Sequence, residues 1–155
     1  MTWPLTLRAD TMGPLDGYLP YLLNRAGARI AEAFGKEVRP LGATLQTWRV
    51  LAALRERDGR RMGDLSQTTS IEVSTLTRLV DSMEAKGLVA RRHAAADARV
   101  VALHVTAAGR RLTQRLLPVA ERYERVALQG FEAREAEALK AALRRLYANM
   151  DALKA

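Results

Sequence analysis

The sequence predicts a mainly α-helical fold that carries one small β-hairpin. Over most of the 155 residues, apolar side chains recur every three or four positions, as they do in amphipathic helices. Between Leu88 and Val105 the apolar period changes to two, which is typical of β-strands. The same region is strongly basic, because residues 88–115 contain six arginines and one aspartate and so supply +5 of the net charge of +8. A basic cluster of this size favours a polyanionic partner, and the alternative is a solvated face in a protein that uses arginine far more than lysine, 21 to 4.

The first two helices are predicted from the positions of their proline, threonine and glycine residues. Pro20 is tolerated only in a first helical turn, so the first helix should begin near Tyr18. The segment Arg-Pro-Leu-Gly at 39–42 should end it. Thr44 is then the expected N-cap of a second helix, which should end at Asp58 and Gly59.

The next two helices have the spacing of a helix-turn-helix. A short helix is predicted over 62–67, and a longer one should open near Ile71 and close at Gly87, a residue suited to a left-handed C-terminal cap. Small hydroxyl side chains and one arginine occupy the side of the longer helix opposite its apolar stripe: Ser74, Thr75, Thr77 and Arg78. Such side chains are suited to hydrogen bonding with base edges. The alternative is that the hydroxyls only cap the helix and that the arginine is solvated.

Two short strands follow this helix, at 88–92 and 101–105. A helix-turn-helix followed by a hairpin is a winged variant, in which the hairpin tip can reach phosphates or the minor groove. The connection from His93 to Ala98 contains neither glycine nor proline, so the alternating pattern alone predicts the hairpin.

Two further helices are predicted after the hairpin. Thr106 should cap the first, Pro118 should kink or interrupt it, and Gly130 should separate it from the last helix. The last helix has a heptad-like apolar stripe. Apolar helices at both ends of a basic module predict a homodimer, and its expected contact residues are Leu19, Leu22, Leu139, Leu143, Leu146 and Met150.

Composition excludes several functional classes. The absence of cysteine excludes disulfides, thiolate metal sites and cysteine nucleophiles. The longest stretch without a formal charge has ten residues, 100–109, whereas a membrane-spanning helix needs about 20. A cytoplasmic protein is therefore expected. The only histidines, His93 and His104, have no metal-ligand or triad partner at a recognisable spacing, so neither an enzyme nor a metal or cofactor site is expected.

Three linked motifs point to a known family. Residues 74–81, STLTRLVD, continue into MEAKGLVAR at 83–91, and they are followed by Asp-Ala-Arg at 97–99 and Val-Thr-Ala-Ala-Gly at 105–109. In these motifs and in the order of its elements over about residues 15–152, the chain resembles the MarR-type winged-helix transcriptional regulators. The resemblance implies a single domain over 1–155. Its residues 43–105 would form the DNA-binding region, and 15–42 with 106–155 would form the dimerisation helices.

The resemblance also implies roles for individual residues on a pseudo-palindromic DNA operator. Ser74, Thr75, Thr77 and Arg78 would face the major groove. Arg99 would enter the minor groove, with its turn fixed by a salt bridge to Asp97, and Arg91 and Arg92 would lie near phosphates. Val73, where relatives often have a basic or polar residue, leaves the operator sequence open.

Family members typically act as repressors that a small aromatic acid or related compound, such as its thioester, releases from DNA. The resemblance places this effector between the dimerisation helices and the DNA-binding module, where the candidate residues are Tyr18, Tyr21, Asn24, Arg25 and Trp48. Arg25 would pair with a carboxylate or phosphate, and the rings would stack on a planar ligand. The alternatives are core packing for Trp48, surface positions for the tyrosines, and a helical protein-interaction module that uses the winged region without DNA.

Overall fold

The computed structural model describes residues 15–94 and 97–154, which form helices and one two-stranded hairpin, as predicted. In chain order the elements are α1 (Leu19–Val38), a 3-10 turn (Arg39–Leu41), α2 (Leu45–Glu56), α3 (Met62–Thr69), α4 (Val73–Ala85), β1 (Val89–Ala94), β2 (Asp97–Val105), α5 (Ala107–Ala127), α6 (Ala133–Asn149) and a second 3-10 turn (Met150–Lys154).

The chain forms two compact units, which divide within α5 after Ala120. The first contains α1 to α4, the hairpin and most of α5. The second contains the end of α5, α6 and the final 3-10 turn. No helix among the described residues is long and apolar enough to cross a bilayer. The assignment of 43–105 to DNA binding and of the flanking segments to dimerisation stays a prediction.

Local sequence signals determine where most of the helices begin. Pro20 lies in the first turn of α1, and the hydroxyl of Thr44 accepts a hydrogen bond from the Thr47 N–H at 3.1 Å, so both predicted starts are confirmed. Of the two alternatives predicted for Pro118, the interruption is wrong, because helix α5 continues past it from Ala107 to Ala127. The other alternative, a kink, stays a prediction.

Helix α4 begins close to the predicted position, with Glu72 as its N-cap one residue after Ile71. Its helical residues end at Ala85, two residues before the glycine that was predicted to close it. The predicted left-handed residue is confirmed at Gly87, whose φ is +70°. There the Leu88 N–H donates to the Met83 carbonyl at 2.9 Å, a bond that ends the helix and turns the chain into β1.

The hairpin is antiparallel, and Val89 lies opposite Val105. Both strands are longer than predicted, because β1 extends to Ala94 and β2 already begins at Asp97. The Leu103 N–H donates to the Arg60 carbonyl at 2.8 Å, which joins β2 to the segment before α3. The hairpin is therefore bonded to the helices that precede it.

Five elements around the hairpin contribute large side chains to the core of the first unit. The largest fully buried side chains outside the β-branched residues are Leu51, Leu54, Leu65, Leu76, Met83, Leu103 and Leu116. Because α2, α3, α4, β2 and α5 each supply at least one of them, the orientation of α4 is fixed by close packing.

The first turn of α5 lies unusually close to the end of β1. The Leu88 carbonyl accepts a hydrogen bond from the Thr106 N–H at 3.1 Å. A Cβ atom placed on Gly109 would lie 2.1 Å from that carbonyl oxygen and 2.8 Å from a methyl group of Val105. Only glycine allows this approach of helix and strand.

We expect Gly109→Ala to lower the free energy of unfolding by about 1–3 kcal/mol or more, because backbone atoms must move to accept the methyl group. Denaturant unfolding measures this effect. Gly63→Ala in α3 is the matched control, since a Cβ there would meet nothing within 4 Å. It should leave the stability unchanged or raise it by up to about 1 kcal/mol. Equal effects of the two substitutions would contradict the close approach.

Candidate DNA-binding site

The turn between α3 and α4 is held from both sides. Ser70 adopts a left-handed conformation with φ of 55°, and the Ile71 side chain is buried in the core. The hydroxyl of Ser66 donates to the Ile71 carbonyl at 2.7 Å. This three-residue turn fixes α4 relative to α3, which is the geometry that a helix-turn-helix requires.

The predicted polar side of α4 is its exposed side. Ser74, Thr75, Thr77 and Arg78 are all exposed, whereas the apolar residues Leu76, Val80 and Met83 are buried on the opposite side. Val73 at the start of the helix is 49% exposed, so its methyl groups also face outward. We call the five exposed residues 73, 74, 75, 77 and 78 the reading face.

Glu72 lies next to the reading face, and the sequence analysis did not identify it. One of its carboxylate oxygens accepts hydrogen bonds from the hydroxyl of Ser74, from the Ser74 N–H at 3.0 Å and from the Thr75 N–H at 3.2 Å. These bonds, that of the Ser74 hydroxyl above all, lower the pKa of Glu72. The available sequence signal was an acidic residue at the predicted start of the helix, two residues before Ser74, but no cap was assigned there.

Thr77 is also bonded within the helix. Its hydroxyl donates to the Val73 carbonyl one turn earlier at 2.8 Å. The Thr75 hydroxyl makes no hydrogen bond among the described residues. The three hydroxyls of the reading face therefore differ in what they can still bind.

Arg91 has partners within the protein. Its guanidinium contacts Asp81 and Glu84 of α4, each at 2.6 Å, and its backbone N–H donates to Glu84 at 3.0 Å. The hydrogen bond with Asp81 is the main reason that the pKa of Arg91 is raised, and the two bonds from Arg91 lower the pKa of Glu84. The resemblance assigned Arg91 to phosphates, whereas its observed contacts join β1 to α4.

The wing leaves Arg92 and Arg99 exposed. Asp97 does not form the predicted salt bridge with the guanidinium of Arg99. Its carboxylate instead accepts a hydrogen bond from the Arg99 backbone N–H at 2.9 Å, because a short aspartate side chain reaches the amide two residues further on. Asp97 therefore holds the chain here through the backbone N–H of Arg99 and not through its guanidinium. The centre of the predicted connection, residues 95 and 96, lies outside the described residues.

The five candidate effector residues occupy different surroundings. Tyr18, Asn24 and Arg25 are exposed on or just before α1, and Tyr21 is half-buried. Trp48 packs on the buried ring of Phe34, with ring centroids 6.3 Å apart, and borders a groove between α2 and the end of α3. Trp48 therefore takes part in core packing, as one of the alternatives predicted, and is also partly open to the groove.

A cavity of about 410 Å³ lies between α2, the end of β2 and α5. It is lined by Leu51, Leu54, Arg55, Asp58, Val105, Arg110, Thr113, Gln114 and Leu117. Arg110 donates to the Val105 carbonyl at 3.2 Å, whereas Arg55 has no ion pair or hydrogen bond within the described residues. Sequence analysis missed this cavity because its lining comes from three elements that are distant in the chain.

Asp58 joins this cavity to the hairpin. Its carboxylate accepts from the Val105 N–H at 2.9 Å and lies 3.1 Å from Nδ1 of His104. Burial raises the pKa of Asp58, but hydrogen bonds from Val105, His104 and Gly59 outweigh burial and lower it. An ionised Asp58 therefore ties the end of α2 to the end of β2.

Both terminal helices expose apolar side chains. Exposure is 51% for Leu19 and 41% for Leu22 on α1, and it is 39% for Leu139 and 40% for Leu143 on α6. Met150, just after α6, is 51% exposed, whereas Leu146 is half-buried.

Comparison with known proteins relates this architecture to one family. The family model described as MarR family matches residues 41–100. A MarR-family transcriptional regulator from Silicibacter pomeroyi is 35% identical; the match covers 88% of this chain and 92% of that chain, with a TM-score of 0.79.

Two further solved structures are similar. The transcriptional repressor CouR, bound to a 23-mer DNA duplex, is 29% identical over 89% of this chain and 98% of its own, with a TM-score of 0.78. BpsR of Bordetella bronchiseptica, whose DNA binding is regulated by 6-hydroxynicotinic acid, is 28% identical over 83% of this chain and 97% of its own, with a TM-score of 0.74. With its helix-turn-helix, wing and terminal helices, this chain belongs to the MarR family of winged helix-turn-helix transcriptional regulators, which are not enzymes.

Proposed function

We propose that the protein is a homodimeric repressor that binds a pseudo-palindromic operator and is released from it by a small aromatic acid or its thioester. The observation that carries the DNA part of this proposal is the reading face. Its small hydroxyls and Arg78 are exposed on a helix whose opposite side is anchored in the core. A helix presented in this way fits the major groove.

Two regions of the protein would make different contacts with DNA. The exposed arginines of the wing, Arg92 and Arg99, would contact the backbone or the minor groove and set the register of the protein on the duplex. The reading face has one formal charge, on Arg78, and would supply the base contacts. CouR, a repressor whose structure contains duplex DNA, is similar over nearly its whole length and supports this use of the fold.

The exposed apolar residues of α1 and α6 support a homodimer. Large apolar side chains on each of the two helices remain in contact with water in a single chain, and exposed apolar patches typically mark an interface. A two-fold dimer presents its two reading faces to half-sites one helical turn apart, about 34–36 Å, which accounts for a pseudo-palindromic operator.

The cavity between α2, β2 and α5 is the effector site that the geometry supports best. Its apolar wall, formed by Leu51, Leu54 and Leu117, suits a ring, and the unpaired Arg55 suits a carboxylate. BpsR, which responds to the aromatic acid 6-hydroxynicotinic acid, supports the ligand class. To release DNA, the ligand must bind more tightly to a form of the dimer whose reading faces no longer match adjacent turns.

Salt titration separates this function from the alternative of a protein-interaction module. Binding of duplex DNA through phosphates should weaken with a log-log slope of about −0.9 per phosphate neutralised. A flat salt response would favour a protein partner instead.

We expect Arg78→Ala to weaken binding to the selected operator by about 1–3 kcal/mol and to relax base preference at one position in each half-site. Competition gel shifts with operator variants measure both effects. Arg134→Ala on α6 is the control, because it removes another exposed arginine, outside the winged region. Retained base preference in Arg78→Ala would count against the reading face.

Arg99→Ala should affect DNA binding, whereas Arg91→Ala should affect stability. The first should reduce the magnitude of the salt slope by about 1 per subunit while leaving the dimer intact in sedimentation experiments. The second should lower the free energy of unfolding by up to about 2 kcal/mol through loss of two partly exposed ion pairs, with an unchanged salt slope. A monomeric Arg99→Ala protein would show that this arginine is structural.

Arg55→Ala should weaken effector binding by about tenfold or more, since a charged hydrogen bond contributes about 1.5–3 kcal/mol. Calorimetry with a panel of aromatic acids and their thioesters measures the loss. Arg25→Ala tests the other candidate site on α1. If only Arg25→Ala weakens binding, the effector occupies the site predicted from the sequence. If no acid or thioester changes operator affinity, the effector proposal fails.

A further inference from the structure

The three hydroxyls of the reading face are not equivalent as hydrogen-bonding groups. The Ser74 hydroxyl donates a hydrogen bond to the Glu72 carboxylate, and the Thr77 hydroxyl donates one to the Val73 carbonyl. A hydroxyl has one proton to donate and two lone pairs that accept. Toward a partner outside the protein, Ser74 and Thr77 therefore act as acceptors only. Thr75 can still donate, because its hydroxyl has no partner among the described residues.

The major-groove edges of the base pairs differ in whether they present hydrogen-bond donors or acceptors. In the major groove, adenine N6 and cytosine N4 carry amino groups that donate, whereas guanine O6, guanine N7 and thymine O4 accept. An acceptor-only hydroxyl can bond the two amino groups. Placed opposite guanine or thymine oxygens it would face another acceptor, which leaves both groups unsatisfied.

We infer that Glu72 orients a side chain that reads the bases and is in this sense a positioning residue. This inference rests on the proposed DNA binding. By accepting the hydrogen bond that the Ser74 hydroxyl can donate, Glu72 leaves Ser74 as an acceptor that selects adenine or cytosine over guanine or thymine. Ser74 touches the base, and Glu72 acts through it.

Capping alone does not account for a glutamate at this position. A serine or threonine at residue 72 would accept from the same backbone N–H groups, and these are the most favourable capping residues. Glu72 is fully exposed beside the reading face, where its negative charge opposes the phosphates of bound DNA. What the carboxylate adds to a cap is its bond with the Ser74 hydroxyl.

The test compares base preferences selected from random duplex DNA. Wild-type protein should prefer adenine or cytosine at one position of each half-site, and Ser74→Ala should lose that preference. Glu72→Thr keeps a helix cap but removes the carboxylate, so it should lose the same preference while keeping its affinity for the rest of the operator. The double variant should show no larger loss than Ser74→Ala alone.

A matched control exists on α6. Glu132 is the N-cap residue of that helix and forms a capping box with Glu135, whose carboxylate accepts a hydrogen bond from the Glu132 N–H at 2.8 Å. Glu132→Thr therefore removes an equal charge from an N-cap position outside the reading face, and its selected operator should be that of the wild type. Thermal unfolding of each variant confirms that it is folded.

A second measurement uses altered operators. When the selected adenine or cytosine is replaced by an analogue without the exocyclic amino group, wild-type affinity should fall ~10-fold, or about 1.4 kcal/mol, and that of Glu72→Thr should hardly change. The inference would be overturned if the wild type bound the selected operator and the analogue-containing operator equally well. It would also be overturned if Glu72→Thr selected the same base as the wild type. Both outcomes would leave the proposed function standing. Failure of the wild type to select any duplex would overturn both.

Discussion

The ion pairs of Arg91 with Asp81 and Glu84 connect the two parts of the protein that the proposed function brings to DNA. One guanidinium holds two carboxylates of α4, and the backbone N–H of the same residue adds a third bond. Individually such partly exposed contacts are weak, but here they meet at one side chain whose fork geometry fixes directions as well as distances. These contacts add to the core packing and the backbone hydrogen bonds that hold the recognition helix against the wing. A basic side chain in the wing is, in this case, part of the scaffold.

Because Arg91 is paired within the protein, not all of the positive charge in this region is available to bind phosphates. The excess between residues 88 and 115 suggests phosphate binding as a whole, yet Arg91 is neutralised internally and Arg110 is bonded to a backbone carbonyl in the cavity wall. Arg92, Arg99, Arg111 and Arg115 remain exposed. Electrostatic affinity would thus come from fewer side chains than the composition indicates, while the reading face depends on hydroxyl orientation.

The cavity and the wing share atoms. Val105 lines the cavity, pairs with Val89 at the base of the hairpin and donates its N–H to Asp58. Its methyl group also lies where a side chain on Gly109 would have to fit. A ligand that displaces the end of β2 would therefore act directly on the strand pair that carries the wing. Such a route requires only that ligand and DNA prefer different positions of one packed element.

The sequence by itself determined the order of helices and hairpin, the caps at Thr44 and Gly87, and which side of α4 is exposed, because these follow from periodicity and local backbone preference. It did not determine the uninterrupted course of α5 past Pro118 or the length of the strands. Only the tertiary structure decided that Arg91 pairs with α4, that Asp97 bonds the amide of Arg99, and that α2, β2 and α5 enclose a cavity. These features depend on side chains meeting across distances in the chain that no local pattern encodes, and the folded core sets their geometry.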